Sequence, residues 1–224
     1  MKKVLFIAVH PDDETLGCGG TIFKHKQQGD EIYWLIITAM TPDHPYRFSA
    51  EVINKRSDEI NSVADAYGFT ETVQLGFPTI LLDEINFREL VKEIDSALTA
   101  LQPQIIYLVN RSDVHSDHRV TFEAVSSCTK SFRKPFIEKI LMYETLSETE
   151  FAPALNENAF IPNVFTDISE YMDDKLAVMS TYASELMPDT MPRSYSAIKA
   201  LAAYRGSRIG VAYAEAFVLL FEKH

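Results

Sequence analysis

Apolar residues fall along this chain in short unbroken runs that end abruptly in polar residues. The run Val4-Leu5-Phe6-Ile7-Ala8-Val9 is of strand length and has no polar face. It predicts a strand covered on both sides, as in a parallel sheet. Residues 31–38 (EIYWLIIT), 105–109 (IIYLV) and 139–144 (KILMYE) repeat the signal, and 72–75 predict a shorter strand. Between them the spacing becomes helical. Phe87, Leu90, Val91, Ile94, Leu98 and Leu101 share one face of a helix over 86–101. Ser49 can cap a helix that runs to Tyr67, where Gly68 stops it. Residues 10–20 read as a loop and 21–28 as a helix closed by Gly29. Further helices are predicted over 119–130, from a Ser169 cap to Tyr182, and over 194–204, with strands at 163–168 and 211–221. This alternation predicts an α/β fold: a mostly parallel sheet flanked by helices, with right-handed crossovers. No Pro/Gly/Ser-rich linker interrupts it, so residues 1–224 are expected to form a single domain.

The hydrophobic content, 46%, is ordinary for a chain with a sizeable core. The net charge of −11 argues against nucleic acid and against an anionic membrane surface as partners. No apolar stretch approaches the ~20 residues of a membrane span. Met1-Lys2-Lys3 and the apolar run after it imitate a signal peptide only faintly, because histidine and acids break the run. Cys18 and Cys128 form no disulfide framework and no CxxC pair. They read as small buried hydrophobes, and a reducing cytoplasm is the expected location.

Two polar bursts change the picture. His10-Pro11-Asp12-Asp13-Glu14 follows the first strand, and Asn110-Arg111-Ser112-Asp113-Val114-His115-Ser116-Asp117-His118-Arg119 follows the strand at 105–109. Ligands of α/β sheets bind beyond the carboxyl ends of the strands. Three consecutive carboxylates repel one another there unless a positive group sits among them. Imidazole and carboxylate are ligands for zinc or another first-row divalent metal, and three of them leave a position open for water. The candidates are His10, Asp12, Asp13, His115, Asp117 and His118. One histidine alone would read as a solvated loop residue; two bursts at equivalent sheet positions do not. Neighbouring side chains point apart, so Asp12 and Asp13 should divide the work, one on the metal and one facing water. The residues alone leave open which does which. A nucleotide site is the weaker reading: Gly17-Cys18-Gly19-Gly20 is not G-x-G-x-x-G, and a phosphate would meet Asp12, Asp13 and Glu14.

These residues resemble the PIG-L/LmbE-like zinc N-deacetylases. His10-Pro11-Asp12-Asp13-Glu14 with Gly17-Cys18-Gly19-Gly20, and His115-Ser116-Asp117-His118-Arg119, resemble that family's two signature motifs, with Ser116 where proline is common. Arg56 and Glu59 resemble its Arg-x-x-Glu helix. Asn163 to Ile168 with Lys175 and Tyr182-Ala183-Ser184, and Gly210 to Phe217, resemble its later segments, so nearly the whole chain is covered. The resemblance implies a Rossmann-like domain with zinc held by His10, Asp13 and His118. It implies Asp12 as general base, His115 as the group that stabilises or protonates the tetrahedral intermediate, and Asp117 as a residue that orients an imidazole. An imidazolium at His115 would stabilise an oxyanion. The implied substrate is an N-acetylglucosamine-type sugar or glycoside, and the implied assembly a homo-oligomer, trimer or hexamer. Arg56 and Glu14 are expected at the substrate, against the plainer readings of an Arg56–Glu59 helix pair and of Glu14 as a cap. Arg111 and Arg119 are candidates for gripping an acidic substituent, Tyr143 and Glu144 for lining the pocket, and His44 and Tyr46 for a lid. The competing function is a metal- or sugar-binding module of the same fold without hydrolase activity.

Overall fold

The two strands that precede the polar bursts, β1 (Lys3–Ala8) and β4 (Ile105–Val109), lie side by side in the computed structural model, which describes residues 1–224. They sit in the middle of a seven-stranded sheet. Beyond β1 come β2 (Glu31–Ala39) and the edge strand β3 (Glu71–Pro78). Beyond β4 come β5 (Lys139–Tyr143), β7 (Ala214–Glu222) and β6 (Val164–Asp167). The first five are parallel; β7 is antiparallel to both of its neighbours. The chain winds one way from β1 to β3 and the other way from β4 to β5, so the order reverses between β1 and β4. That reversal opens a crevice at the carboxyl ends of those two strands.

The unbroken apolar runs are buried as expected, with Val4 to Val9 and Ile32 to Ile37 inside the core. Phe6 stacks on Tyr107 across β1 and β4, with ring centroids 4.8 Å apart. Helices α1 (Asp13–Gln27), α2 (Ala50–Tyr67), α3 (Phe87–Leu101), α4 (Ser116–Cys128), α5 (Met172–Met179) and α6 (Tyr195–Ser207) cover the sheet. Ser49 Oγ accepts from Val52 N at the start of α2, and Gly68 closes it at φ 66°. Asn86 caps α3, which buries Leu90, Ile94, Leu98 and Leu101; each such side chain contributes about 1.5–3 kcal/mol. Both cysteines are free and buried. No helix is long and apolar enough to cross a membrane.

Three helix starts differ from the pattern in the sequence. α1 begins at Asp13, not Thr21, so the acidic motif and its glycines lie inside the helix. The glycines are there for close approach rather than for a turn. A Cβ on Gly17 would lie 2.2 Å from the Tyr143 ring, and one on Gly20 would lie 2.5 Å from Ile168 Cβ. α4 begins at Ser116 rather than Arg119 because the His115 side chain caps it. α5 begins at Met172 because Ser169 hydrogen-bonds Asp167, at 2.6 Å, instead of capping a helix.

α1 is also fixed from outside. Lys175 Nζ donates to Leu16 O at 2.8 Å and pairs with Glu215 at 2.7 Å. Glu215 in turn accepts from Gly20 N at 3.0 Å and Thr21 N at 2.8 Å. Leu16 O and Gly20 N are partners in a regular helix; here each takes a partner from a buried ion pair. Lys175→Met should therefore cost about 3–5 kcal/mol in chemical denaturation, because it leaves the Glu215 charge buried without its counterion. A loss below about 1 kcal/mol would mean that the pair contributes nothing.

Candidate active site

The first half of the site is built at the end of β1. Thr38, at the end of β2, donates to Val9 O from both its backbone N (3.0 Å) and its Oγ1 (2.8 Å), which holds the turn in place. Asp12 then takes φ 144° and ψ −25°, a conformation that L-residues rarely adopt. This kink turns strand into helix and sends the two neighbouring carboxylates apart. Asp13 folds back and accepts from Val9 N (3.0 Å) and His10 N (2.8 Å) through Oδ2. Burial alone would raise the Asp13 carboxyl, but the His118 and His10 imidazoles hold it well below the usual range. The Asp12 carboxylate lines a cavity, 3.9 Å from Arg193. Burial, and then the charges of Asp13 and Glu185, push it well above the usual range, with Arg193 opposing them.

The second half comes from the β4–α4 turn. His115 Nδ1 accepts from Asp117 N at 3.1 Å, which leaves the ring proton of the neutral imidazole on Nε2. Burial, reinforced by His10 and His118, lowers the His115 pKa to about 4. The ring is neutral near pH 7, not the imidazolium expected from sequence. His118 is fully buried in the first turn of α4. Its Nδ1 lies 2.8 Å from Asp113 Oδ2, and its Nε2 faces Asp13 Oδ2 at 3.4 Å without a hydrogen-bond partner. Asp113 is held by Asn110 and Thr149, each at 2.7 Å. Asp117 accepts from Ile80 N (2.6 Å) and Leu82 N (3.0 Å) and faces His10 Nε2 at 3.2 Å. It thus ties the 79–82 loop to the His10 ring.

Two groups of side chains bring three donor atoms within 4.8 Å of one another: His10, Asp13 and His118, and His10, His115 and Asp117. In the second, His115 Nδ1 is taken and both Asp117 oxygens accept backbone N–H groups, as Asp13 Oδ2 also does in the first, so the separation rests on the histidine. In the first, the buried His118 Nε2 lacks a partner, and Asp13 Oδ2 lies 3.4 Å from it and 3.9 Å from His10 Nδ1. Donors about 2.0–2.1 Å from a tetrahedral ion stand about 3.4 Å apart. Two imidazoles and a carboxylate at these separations fit a first-row divalent cation. The Asp113 carboxylate behind His118 is the kind of partner that fixes the orientation of a ligand imidazole.

The cavity beside this cluster measures about 470 Å³. Residues 38–40, Thr79 and Ile80, and Thr145, Ser147 and Glu148 wall it, together with Glu185 and Arg193, which sequence patterning does not bring to the site. A larger hollow, about 740 Å³, opens at the opposite end of the sheet between Lys2, Lys3 and Lys223 and holds none of the clustered histidines. Arg56 does line the site cavity. It donates to Pro11 O at 3.0 Å, lies 3.4 Å from Glu59 and pairs with Glu185. Glu14, expected at the substrate, is instead fully buried behind the motif and does not line the cavity. It accepts from Thr15 Oγ1 (2.6 Å), Tyr182 OH (2.9 Å) and Asp12 N (3.2 Å). Burial pushes its carboxyl up to about 7. Tyr143 donates to Ile7 O in the core and Glu144 grips Arg205, so neither lines this cavity. Arg111 and Arg119 bond backbone carbonyls rather than facing it. His44 is buried against Thr79 O at 2.7 Å and braces the wall.

A family model described as GlcNAc-PI de-N-acetylase (PIG-L) matches residues 5–129. A diacetylchitobiose deacetylase of Thermococcus kodakarensis is 28% identical over 96% of this chain and 82% of its own length. A probable N-acetyl-alpha-D-glucosaminyl L-malate deacetylase 2 of Bacillus anthracis is 23% identical over 82% of this chain and 81% of its own. Among solved structures, the conserved protein TT1542 from Thermus thermophilus superimposes with a TM-score of 0.76 at 25% identity, covering 100% of this chain and 97% of that one.

Proposed function

The chain belongs to the PIG-L family, and from that premise we propose that it is a metal-dependent hydrolase that removes the acetyl group from an N-acetylglucosamine-type sugar or glycoside. The observation that carries this reading is the cluster of His10, Asp13 and His118 donor atoms beside the cavity, with the buried His118 Nε2 left without a protein partner. These three residues hold the cation, zinc by default. When bound, a divalent cation supplies Lewis acidity that polarises an acyl oxygen and makes water a stronger acid. The remaining steps belong to the chain. Asp12, on the cavity wall, accepts a proton from the water that attacks the acetyl carbon. His115, neutral and protonated on Nε2, donates a hydrogen bond to the oxygen that becomes negative in the tetrahedral intermediate. Asp12 returns its proton to the sugar nitrogen, the C–N bond breaks, and acetate and a free amine leave. Asp117 and Asp113 orient the His10 and His118 rings.

The relatives' names favour a sugar amide. The test is release of free amine across N-acetylglucosamine, its nucleotide-linked forms and its glycosides, with zinc supplied and with a chelator. Chelator-sensitive release from at least one sugar is the expected result. No release from any of them, with metal bound, would favour the non-catalytic module.

A further inference from the structure

The cavity's charge has a consequence for substrate choice, which rests on the deacetylase reading above. Four carboxylates line it, Asp12, Asp13, Glu148 and Glu185, with two guanidiniums, Arg56 and Arg193, and no lysine. With all four ionised, a divalent cation on Asp13 would bring the sum to zero, so neither sign would be in excess. Both guanidiniums already have carboxylate neighbours: Arg56 hydrogen-bonds Glu185, whereas Arg193 is held by ion pairs alone and its buried Nε has no hydrogen-bond partner. Every polar end of Arg56 has a partner: Pro11 O, Glu59 and Glu185. Arg193 lies 3.4 Å from the other Glu185 oxygen and 3.9 Å from Asp12. Glu185 is the one acid that bridges the two arginines, one oxygen to each.

We infer that the cavity selects uncharged N-acetylated sugars over those that carry a carboxylate or phosphate, and that Glu185 sets this choice by occupying both arginines. A charged substituent entering here sheds water and finds both guanidiniums already facing carboxylates, Arg56 closely and Arg193 more loosely. To be held, it must displace Glu185 from a guanidinium, leaving one oxygen of that carboxylate without its partner and close to the new charge. The net charge of −11 adds a repulsive field on approach. A neutral sugar meets neither obstacle, because its hydroxyls can donate to carboxylates that are already in place. Glutamine at 185 would keep the shape and release two guanidiniums into the cavity, where they are suited to bidentate recognition of carboxylate or phosphate.

The experiment compares kcat/KM for diacetylchitobiose with that for N-acetylglucosamine 1-phosphate and for the malate glycoside of N-acetylglucosamine, in wild type, Glu185→Gln and Glu185→Asp, all loaded with zinc. Wild type and Glu185→Asp should favour the neutral sugar by at least about tenfold. Glu185→Gln should shrink or invert that ratio by at least about tenfold, mainly through a lower KM for the anionic sugars. An anionic preference in wild type, or an unchanged ratio in Glu185→Gln, would overturn the inference. Calorimetric binding of the same neutral and phosphorylated sugars to wild type gives a second readout that needs neither turnover nor a folded variant. Tighter binding of the neutral sugar supports the inference, and tighter binding of the phosphate overturns it. Absence of turnover on every sugar counts against the deacetylase reading alone, and the binding ratio then decides this one.

Discussion

His118→Ala should leave the protein with almost no tightly bound metal and reduce deacetylation more than about a hundredfold. The ring is fully buried, and its Nε2 is a buried donor of the cluster that no protein group satisfies. Removing it also takes the imidazole from Asp113, whose carboxylate is itself fully buried. A carboxylate left so costs about 1–3 kcal/mol, offset in part by Asn110 and Thr149, which still donate to it. Asp113→Asn separates the two effects. It keeps the ligand and removes the charge behind it, so metal affinity should fall by about 10–100-fold, and excess zinc should restore turnover. Elemental analysis after gel filtration, together with rates at saturating zinc, reads both variants. A His118→Ala protein that keeps one zinc per chain would exclude this residue as a ligand.

Asp12→Asn should fold, keep its metal and lose turnover by about 10²–10⁴-fold, the usual cost of removing a general base. Asparagine matches aspartate in shape, and it shares with aspartate a better tolerance of positive φ than most residues, which matters at φ 144°. The charge that the substitution removes is buried beside Asp13 and Glu185, so stability should not fall and a higher Tm is expected. Asp13→Asn should behave oppositely. Its carboxylate faces His10 and His118 and holds the backbone of Val9 and His10, so metal is lost first and activity with it. If Asp12→Asn loses the metal and Asp13→Asn keeps it, the two roles are exchanged.

Much of this arrangement is legible in the sequence, and the rest is hidden for identifiable reasons. The central strands announce themselves because a strand covered on both faces has no polar positions to interrupt it. The caps of α2 and α3 are readable because Ser49, Gly68 and Asn86 act locally. The start of α1 is not. Three glycines within four residues signal a turn, and only the partners Tyr143 and Ile168, distant in sequence, reveal that they exist for packing. At the site, the histidines and aspartates appear as two bursts because both end strands that the topology makes neighbours. Glu14 looks like a third site acid by adjacency, but one helical step turns it into the core, toward Tyr182. Asp113 carries a weak signal as an acid five residues before a candidate ligand imidazole. Glu185 and Arg193 carry none, since they stand in an irregular Pro-containing segment that reaches the cavity only through the tertiary fold.

On the proposed mechanism, one divalent ion held by His10, Asp13 and His118 makes this cavity hydrolytic. The most direct test is acetate release from an N-acetylglucosamine substrate while metal-stripped protein is titrated with zinc. The rate should rise linearly and break at one equivalent per chain in wild type, and stay near background throughout in His118→Ala. A wild-type rate indifferent to zinc, or a His118→Ala titration with the same break and height, would contradict the account.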